Sequence, residues 1–432
     1  MDTAIVVFTR DLRVHDNPAL HRACARARQV VPLFVADPAI AAPPNRARFL
    51  AQSLAVLREE LRQRGGDLVI RRGDPAAEVI TLAREVTAGA VYIADDVSGY
   101  AARRRRALER ECARQRLDLL ITPGLTVVPP GELAPAGGGH YRVFTPYWRA
   151  WRGTRWRQPC PAPGTIRMPA VRHAGQVPAA RHGPSPGLAA GGEHAARQRF
   201  ASWRDSCLAG YPGRRDDLDG GQTSRLSAYL RFGCLSPLEA AAGALDRPGG
   251  EEFCRQLAWR DFFYQVTAAE PDIARKDHRA APAAWRRDPD ALEAWRAGLT
   301  GIPIVDAGMR QLAAEGFMHN RARMITASFL TRTLGIDWRD GYRHFGALLA
   351  DGDVANNAGN WQWIAGTGHN TRPHQVMNPL RQPRRFDPPG GYVRRYVPEL
   401  AGLGPDRIHA PWTLDGGYRR RLGYPEPVVE VS

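Results

Sequence analysis

Five short apolar runs in the first 125 residues, each followed by a helix-compatible stretch, constrain the fold of this chain more than any other feature. The runs are AIVVF (4–8), VVPLFVAD (30–37), LVIRR (68–72), AVYIAD (90–95) and LLIT (119–122). Between them lie segments such as RFLAQSLAVLREELRQRG and EVITLAREVTAG. Strands alternating with helices of this length predict an α/β domain with a doubly wound, mostly parallel sheet. No G-x-G-x-x-G follows the first strand, so the usual dinucleotide fingerprint is missing.

A Pro/Gly-rich stretch at 158–193 then breaks all periodicity and reads as part of a connector. From about 194 onward the pattern is helical, as in FASWRDSCLAGY, RLSAYLRFG, EEFCRQLAWRDFFYQVTAAE and RARMITASFLTRTLG. Eight of the eleven tryptophans fall there, which makes it the aromatic half of the chain. The expected organisation is an α/β domain at 1–128, a connector at 129–193 and an all-α domain at 194–432. A length of 432 residues accommodates two or three domains.

The sequence holds 60 Lys plus Arg against 44 Asp plus Glu, a formal net charge of +16. Such an excess favours a polyanionic partner, nucleic acid above all. An Arg-rich proteome explains the same excess equally well, and RRRR at 103–106 reads as a solvated helix face. No run approaches the roughly eighteen apolar residues of a membrane span. The N-terminal MDTAIVVFTRDLR lacks the features of a secretory signal, so a cytoplasmic protein is expected. The six cysteines, none in a C-x-x-C pair, suit reduced structural thiols rather than a zinc site or disulfide framework.

Four stretches carry unusual chemistry. In GGQTSRLSAYLRFG (220–233), Thr223, Ser224 and Ser227 precede or open a helix, where they cap it or form an anion site. In MHNRARMITASFL, Asn320, Arg323 and Met324 share a helix face, with Arg321 a third of a turn away. QLAWRDFFYQ (256–265) interleaves aromatics with arginines, as base-stacking surfaces and ordinary helix cores both do. DGDVANNAGNWQW (351–363) gathers two aspartates, three asparagines and two tryptophans with almost no aliphatic residue.

In this order and spacing the motifs resemble the photolyase/cryptochrome family, most closely the class I cyclobutane pyrimidine dimer photolyases of bacteria. The match runs from FTRDLRVHDNPAL through YRVFTPYW, TSRLSAYL, WRDFFY, GIPIVDAGMRQL, MHNRARMITASFL, DGDVANN and NWQW to YPEPVVE, essentially the whole chain apart from the connector. The resemblance implies an antenna chromophore in the α/β domain and FAD, active in its reduced anionic form, in the helical domain. It implies FAD contacts at Tyr211, Thr223, Ser224, Arg225, Leu226 and Ser227, mostly to phosphates, and cofactor-side arginines at Arg260 and Arg323. Asp351, Gly352, Asp353 and Asn357 match the surroundings of the isoalloxazine and ribityl chain. Trp285, Trp338 and Trp361 match a three-tryptophan relay that reduces the flavin with light. Arg215, Gln256, Trp259, Asn320, Arg321, Met324 and Trp363 match contacts to a flipped-out dimer or its phosphates.

The activity so implied is light-dependent repair of DNA by electron transfer to the extruded lesion, a carbon–carbon lyase reaction carried out by a monomer. Asn320 and Met324 stand where (6-4) photolyases are expected to have histidine, which supports the dimer-splitting subclass. Some positions depart from the family pattern. Gln256 replaces the usual Glu, and Phe253 and Phe317 replace Trp of some relatives. His369 and Asn370 stand where Thr and Asp are expected, either altering the cavity mouth or, for the imidazole, exposed to solvent without a role. Gly99-Tyr100 replaces the Asn-Glu pair of folate-binding relatives. That disfavours methenyltetrahydrofolate and leaves 8-hydroxy-5-deazaflavin, or no antenna. Two alternatives remain open: a cryptochrome-type blue-light photoreceptor, against which the chain's end soon after YPEPVVE argues, and a photolyase scaffold acting on another substrate.

Overall fold

The computed structural model describes residues 2–431 apart from 41, 181–182, 282–283 and 374. Two compact units emerge. One comprises Met1–Arg181, Ala190–Ala209 and Ser224–Asp272; the other comprises His182–Ala189, Gly210–Thr223 and Ile273–Ser432.

The first unit is built on five strands: β1 (Thr3–Phe8), β2 (Gln29–Ala36), β3 (Val69–Arg72), β4 (Ala90–Ala94) and β5 (Asp118–Thr122). They form one parallel sheet in the order β3-β2-β1-β4-β5, with Val7 paired to Leu33 on one side and Ile93 on the other. All five expected strands are present. Helices α1 (Pro18–Arg26), α2 (Pro44–Arg62), α3 (Pro75–Glu85) and α4 (Gly99–Arg114) link them. Every residue of β1 is buried, as a strand covered on both faces requires. Ile5, Val7, Val31, Leu33, Val91 and Ile93 pack with Val79 and Leu82 of α3 and Leu108 of α4. Asn17 and Asp74 cap α1 and α3 just ahead of Pro18 and Pro75, so both helices start where sequence chemistry favours it.

The motif RDLRVHDNPAL is a structural hub of this unit. Arg13, 1% exposed, donates to the carbonyls of His15, Asp16, Gly124 and Gly233. Asp16 in turn accepts from Arg157, Ser236 and the Cys160 amide. The unit also contains α5 (Phe144–Gly153) and α6 (Glu193–Ser206). Buried Glu193 of α6 accepts from the amides of Val14 and His15.

After α7 (Tyr211–Arg214), which belongs to the second unit, the first unit resumes with α8 (Ser227–Phe232), α9 (Pro237–Ala244) and α10 (Gly250–Ala269). Asp261 of α10 is buried and accepts from the amides of Val127 and Val128 and from Trp151 Nε1. Burial pushes its carboxyl up to about 6 despite those donors and nearby Arg260.

The second unit is helical, with α11 (Pro289–Ala297), α12 (Pro303–Glu315), α13 (Asn320–Ser328), α14 (Trp338–Leu348), α15 (Val354–Ala365) and shorter helices beyond. Its core includes Trp295, Ile325, Phe329, Trp338, Trp361, Tyr392 and Ile408. RARMITASFLTRTLG is not one α-helix: α13 gives way to a π-helix at Phe329–Thr333. Among the described residues no helix is long and apolar enough to cross a membrane, and all six cysteines are free thiols.

Candidate active site

In the second unit, DGDVANNAGNWQW forms a turn followed by α15. Asp353 is the helix cap, accepting from the Asn356 amide at 2.6 Å and from its side-chain amide. The cap fixes the helix phase and therefore the direction of each later side chain. Asn357 and Trp361, four residues apart, share the face toward α14. There Asn357 Nδ2 donates to the Tyr342 carbonyl at 3.2 Å, and Trp361 packs edge-on against Phe345 with ring centroids 4.9 Å apart. Gly341 makes this possible: a Cβ there would lie 2.1 Å from the Trp361 ring. Trp363 is 200° further round the helix at 100° per residue, and it is half-buried where Trp361 is 2% exposed. The two indoles of NWQW therefore point to nearly opposite sides.

Trp338 opens α14 fully buried, its Nε1 donating to Asp277 at 2.8 Å. Trp285 is half-buried. The Arg286 amide, next in the chain, donates to Gly335 and forms a parallel bridge with the 335–336 segment just ahead of α14. Trp285 is thus partly exposed while Trp338 and Trp361 are buried, all three within one unit.

Asp351 precedes α15 with its side chain 6% exposed. It receives both arms of the Arg323 guanidinium at 3.0 and 2.6 Å, while Arg323 Nε binds the Met318 carbonyl. Arg323 sits on α13, which His319 caps by accepting from the Arg321 amide at 3.1 Å. Burial brings the His319 imidazole down to about 4, so it is neutral and able to accept. On the same helix Asn320 is exposed and Met324 half-buried, with Sδ 3.8 Å from Asn320 Nδ2 and 3.7 Å from Arg321. Arg321 is ion-paired with Asp216 at 2.7 Å and lies over Phe386, so part of its charge is already neutralised. Arg215, next to Asp216 in the chain, is half-buried. Tyr211, 9% exposed, opens α7.

His369 is not a solvent-exposed imidazole. It is 7% exposed and stacks on His278 with ring centroids 3.7 Å apart. Asn370, 3% exposed, gives its backbone carbonyl to Arg279.

In the first unit, of the two readings of TSRLS as cap or anion site, the cap is not made. Leu226 is the cap residue of α8, and among the described residues no side chain bonds the helix amides there and the buried Ser227 Oγ has no partner. Arg225 adopts φ 53°, a left-handed conformation that non-glycine residues rarely take. An orphaned hydroxyl beside local strain of about 1–3 kcal/mol marks a functional stretch more than a cap. Arg260 braces α8 by donating to the Leu230 carbonyl, and it also binds Leu125 and the Tyr264 hydroxyl. In QLAWRDFFYQ the residues Phe262, Phe263 and Tyr264 are core. Trp259 is half-buried and lies face to face with Phe144, centroids 3.6 Å apart and planes 8° apart. Gln256 is half-buried with one long hydrogen bond, 3.5 Å, to the Glu252 carbonyl. Phe144 lies within the YRVFTPYW motif, but its pairing with Trp259 is not readable in the sequence, because the two are 115 residues apart.

At the start of α4, Ser98 is the cap and Tyr100 donates to Asp37 at 2.5 Å beneath the Arg104 guanidinium. Burial, reinforced by that carboxylate, pushes the Tyr100 phenol well up. A cavity of about 210 Å³ at the carboxyl ends of β4 and β5 is lined by Asp95, Thr122, Thr126, Glu132 and Tyr264.

Residues 4–164 match the family model described as DNA photolyase, and residues 253–432 match the FAD binding domain of DNA photolyase. A deoxyribodipyrimidine photo-lyase of Streptomyces griseus is 49% identical, over 100% of this chain and 97% of its own length. The chain belongs to the DNA photolyase family. Other members are named differently: a cryptochrome DASH of Gloeobacter violaceus is 36% identical over 99% of the chain and 93% of its own length. The crystal structure of a bacterial class III photolyase from Agrobacterium tumefaciens superposes with a TM-score of 0.94 at 32% identity, covering 100% and 95% of the two chains.

The residues of this chain fit FAD by their chemistry. The unpartnered Ser227 hydroxyl and the strained Arg225 suit an anionic group. The Arg323–Asp351 fork presents a fixed charge pair, and Asn357 an amide anchored by α14.

Proposed function

We infer that this protein repairs DNA in the light, splitting cyclobutane pyrimidine dimers by electron transfer with FAD. The observation that carries this reading is α15, which buries Trp361 against α14 and turns Trp363 to the other side. One helix thereby separates a protein-internal electron path from a surface able to meet a lesion. The full-length likeness to proteins named deoxyribodipyrimidine photo-lyase supports the same reading.

Each residue then has a task. Tyr211 and the run Thr223, Ser224, Arg225, Leu226 and Ser227 hold FAD, chiefly at the phosphates, with Arg260 keeping α8 in place. Arg323, Asp351, Gly352, Asp353 and Asn357 set the polar surroundings of the flavin. FAD, when bound, supplies the light-excited electron that opens the cyclobutane ring and takes it back. Trp285, Trp338 and Trp361 form the path along which electrons enter from solvent. Trp363 and the open face of Trp259 meet the extruded dimer, and Met324 gives an adaptable apolar contact. Extrusion costs a few kcal/mol, and less for a poorly paired lesion. Asn320 and Gln256 offer amides for hydrogen bonds to the dimer. Arg215 and Arg321 contact phosphates, so binding weakens as salt rises, with Arg321 contributing less than a free cation because of Asp216.

The α/β domain carries 8-hydroxy-5-deazaflavin or no antenna, since Tyr100 holds the place of a folate-binding residue; absorbance of the purified protein beyond the flavin bands tests this. The protein works in the cytoplasm as a monomer, with domain limits near 128 and 193. Illuminating the reduced, FAD-loaded protein with dimer-containing single-stranded DNA should restore intact pyrimidines. A protein that binds photoreducible FAD and repairs nothing would instead be a photoreceptor, the function suggested by relatives named cryptochrome.

Gln256→Glu gives a smaller test. A carboxylate accepts stronger, charge-assisted bonds than an amide, so dimer affinity or repair yield should change by about fivefold, ~1 kcal/mol. Unchanged affinity and yield would remove Gln256 from the lesion site.

A further inference from the structure

We propose that Asp277 governs how readily Trp338 gives up an electron, as a positioning residue for the middle of the relay; this rests on the relay reading above. Trp338 is 0% exposed, and its indole N–H donates to Asp277 Oδ1 at 2.8 Å. A buried indole needs some acceptor, and a backbone carbonyl would satisfy it. A carboxylate does more. Losing an electron leaves positive charge on the ring and makes its N–H far more acidic, so a carboxylate in line with that bond, although it shares its charge with Arg339, stabilises the oxidised indole more than the neutral one.

Arg339 acts in the opposite sense. Its guanidinium lies over the Trp338 ring, 4.7 Å from the centroid, where a cation is attracted to the neutral π face and repelled by an oxidised one. It is tied to Asp277 at 3.0 Å and to the cap residue Asp337 at 3.2 Å. The indole therefore meets one ion pair of fixed geometry, with the carboxylate in line with its N–H and the guanidinium over its face.

In the step concerned, an electron would pass from Trp338 to a Trp361 left one electron short, bound FAD supplying the light-driven oxidant. Trp361 returns to a neutral indole and Trp338 becomes an indole cation radical. Its proton stays on Nε1 in the bond to Asp277, and no covalent bond breaks. An electron from Trp285 then refills it.

The test uses full-length, FAD-loaded protein carrying Asp277→Asn, Arg339→Gln or Trp338→Phe. Asp277→Asn should slow photoreduction about tenfold, since ~1.4 kcal/mol on a barrier is a factor of ten. The tryptophan radical seen by flash absorption should also recombine faster, and Asp277→Glu should restore both. Arg339→Gln should leave photoreduction as fast or faster. Independently of photochemistry, the Trp338 indole N–H resonance in isotope-labelled protein should move upfield in Asp277→Asn. If Trp338→Phe slows photoreduction and Asp277→Asn does not, the proposal fails. It also fails if Arg339→Gln slows it as much as Asp277→Asn, the mark of a merely structural pair. If Trp338→Phe changes nothing, the relay reading itself is wrong and the proposal falls with it.

Discussion

Asp261→Ala should destabilise the protein by at least about 3 kcal/mol, because it strips three buried donors of their acceptor and each such loss costs ~1–3 kcal/mol. The donors are the amides of Val127 and Val128 and Trp151 Nε1, and the carboxylate between them is 1% exposed. Urea denaturation followed by Trp fluorescence would show the change as a lower midpoint; a shift worth under ~1 kcal/mol would mean that water or a neighbouring carbonyl replaces the carboxylate. A pH dependence accompanies it. The folded-state value of about 6 lies above the ordinary 3.8, so between these limits the folded protein holds a proton that the unfolded chain has released. The contribution of Asp261 to stability is therefore greatest below pH 3.8 and shrinks as pH rises through about 6. Asp261→Asn should remove that slope while keeping one acceptor oxygen.

Trp361→Phe should reduce photoreduction of the FAD-loaded protein by well over tenfold, more than ~1.4 kcal/mol on the barrier, yet leave repair by chemically pre-reduced protein nearly intact. The separation follows from geometry. Trp361 is buried on the side of α15 that faces Gly341 and Phe345, whereas Trp363 occupies the other side. Photoreduction in blue light and dimer splitting after dithionite treatment, measured on the same preparation, distinguish the two roles. Loss of both together would show that Trp361 also supports the lesion surface and would end the division between the indoles.

The parts of this fold that depend on near neighbours were readable in the sequence. All five strands were, because β-branched runs between turns reflect local sterics. What escaped depends on distant partners. Thr223, Ser224 and Ser227 look like caps by composition, but the chain takes a left-handed turn at Arg225 and no hydroxyl reaches the helix amides. Asp277 lies 61 residues from the indole it binds and sits in no recognisable motif. The His278–His369 stack joins two rings that the sequence keeps far apart, which is why an imidazole that could have been solvent-exposed proves buried. The candidate site residues rest chiefly on family resemblance, since Gln256 and Asn357 do not differ in type from ordinary surface amides.

On the proposed reading that Trp259 meets the extruded lesion, its stacking on Phe144 limits how the site can sort substrates. With one indole face sealed by a phenyl ring 3.6 Å away, Trp259 cannot become half of an aromatic sandwich. It is a shelf and not a clamp. A single flat base and a puckered, joined pair of bases would rest on it about equally well, because a shelf senses area and not thickness. Rejection of undamaged nucleotides must therefore come from the other walls and from the energy of extrusion, which an intact, well-stacked pair resists most.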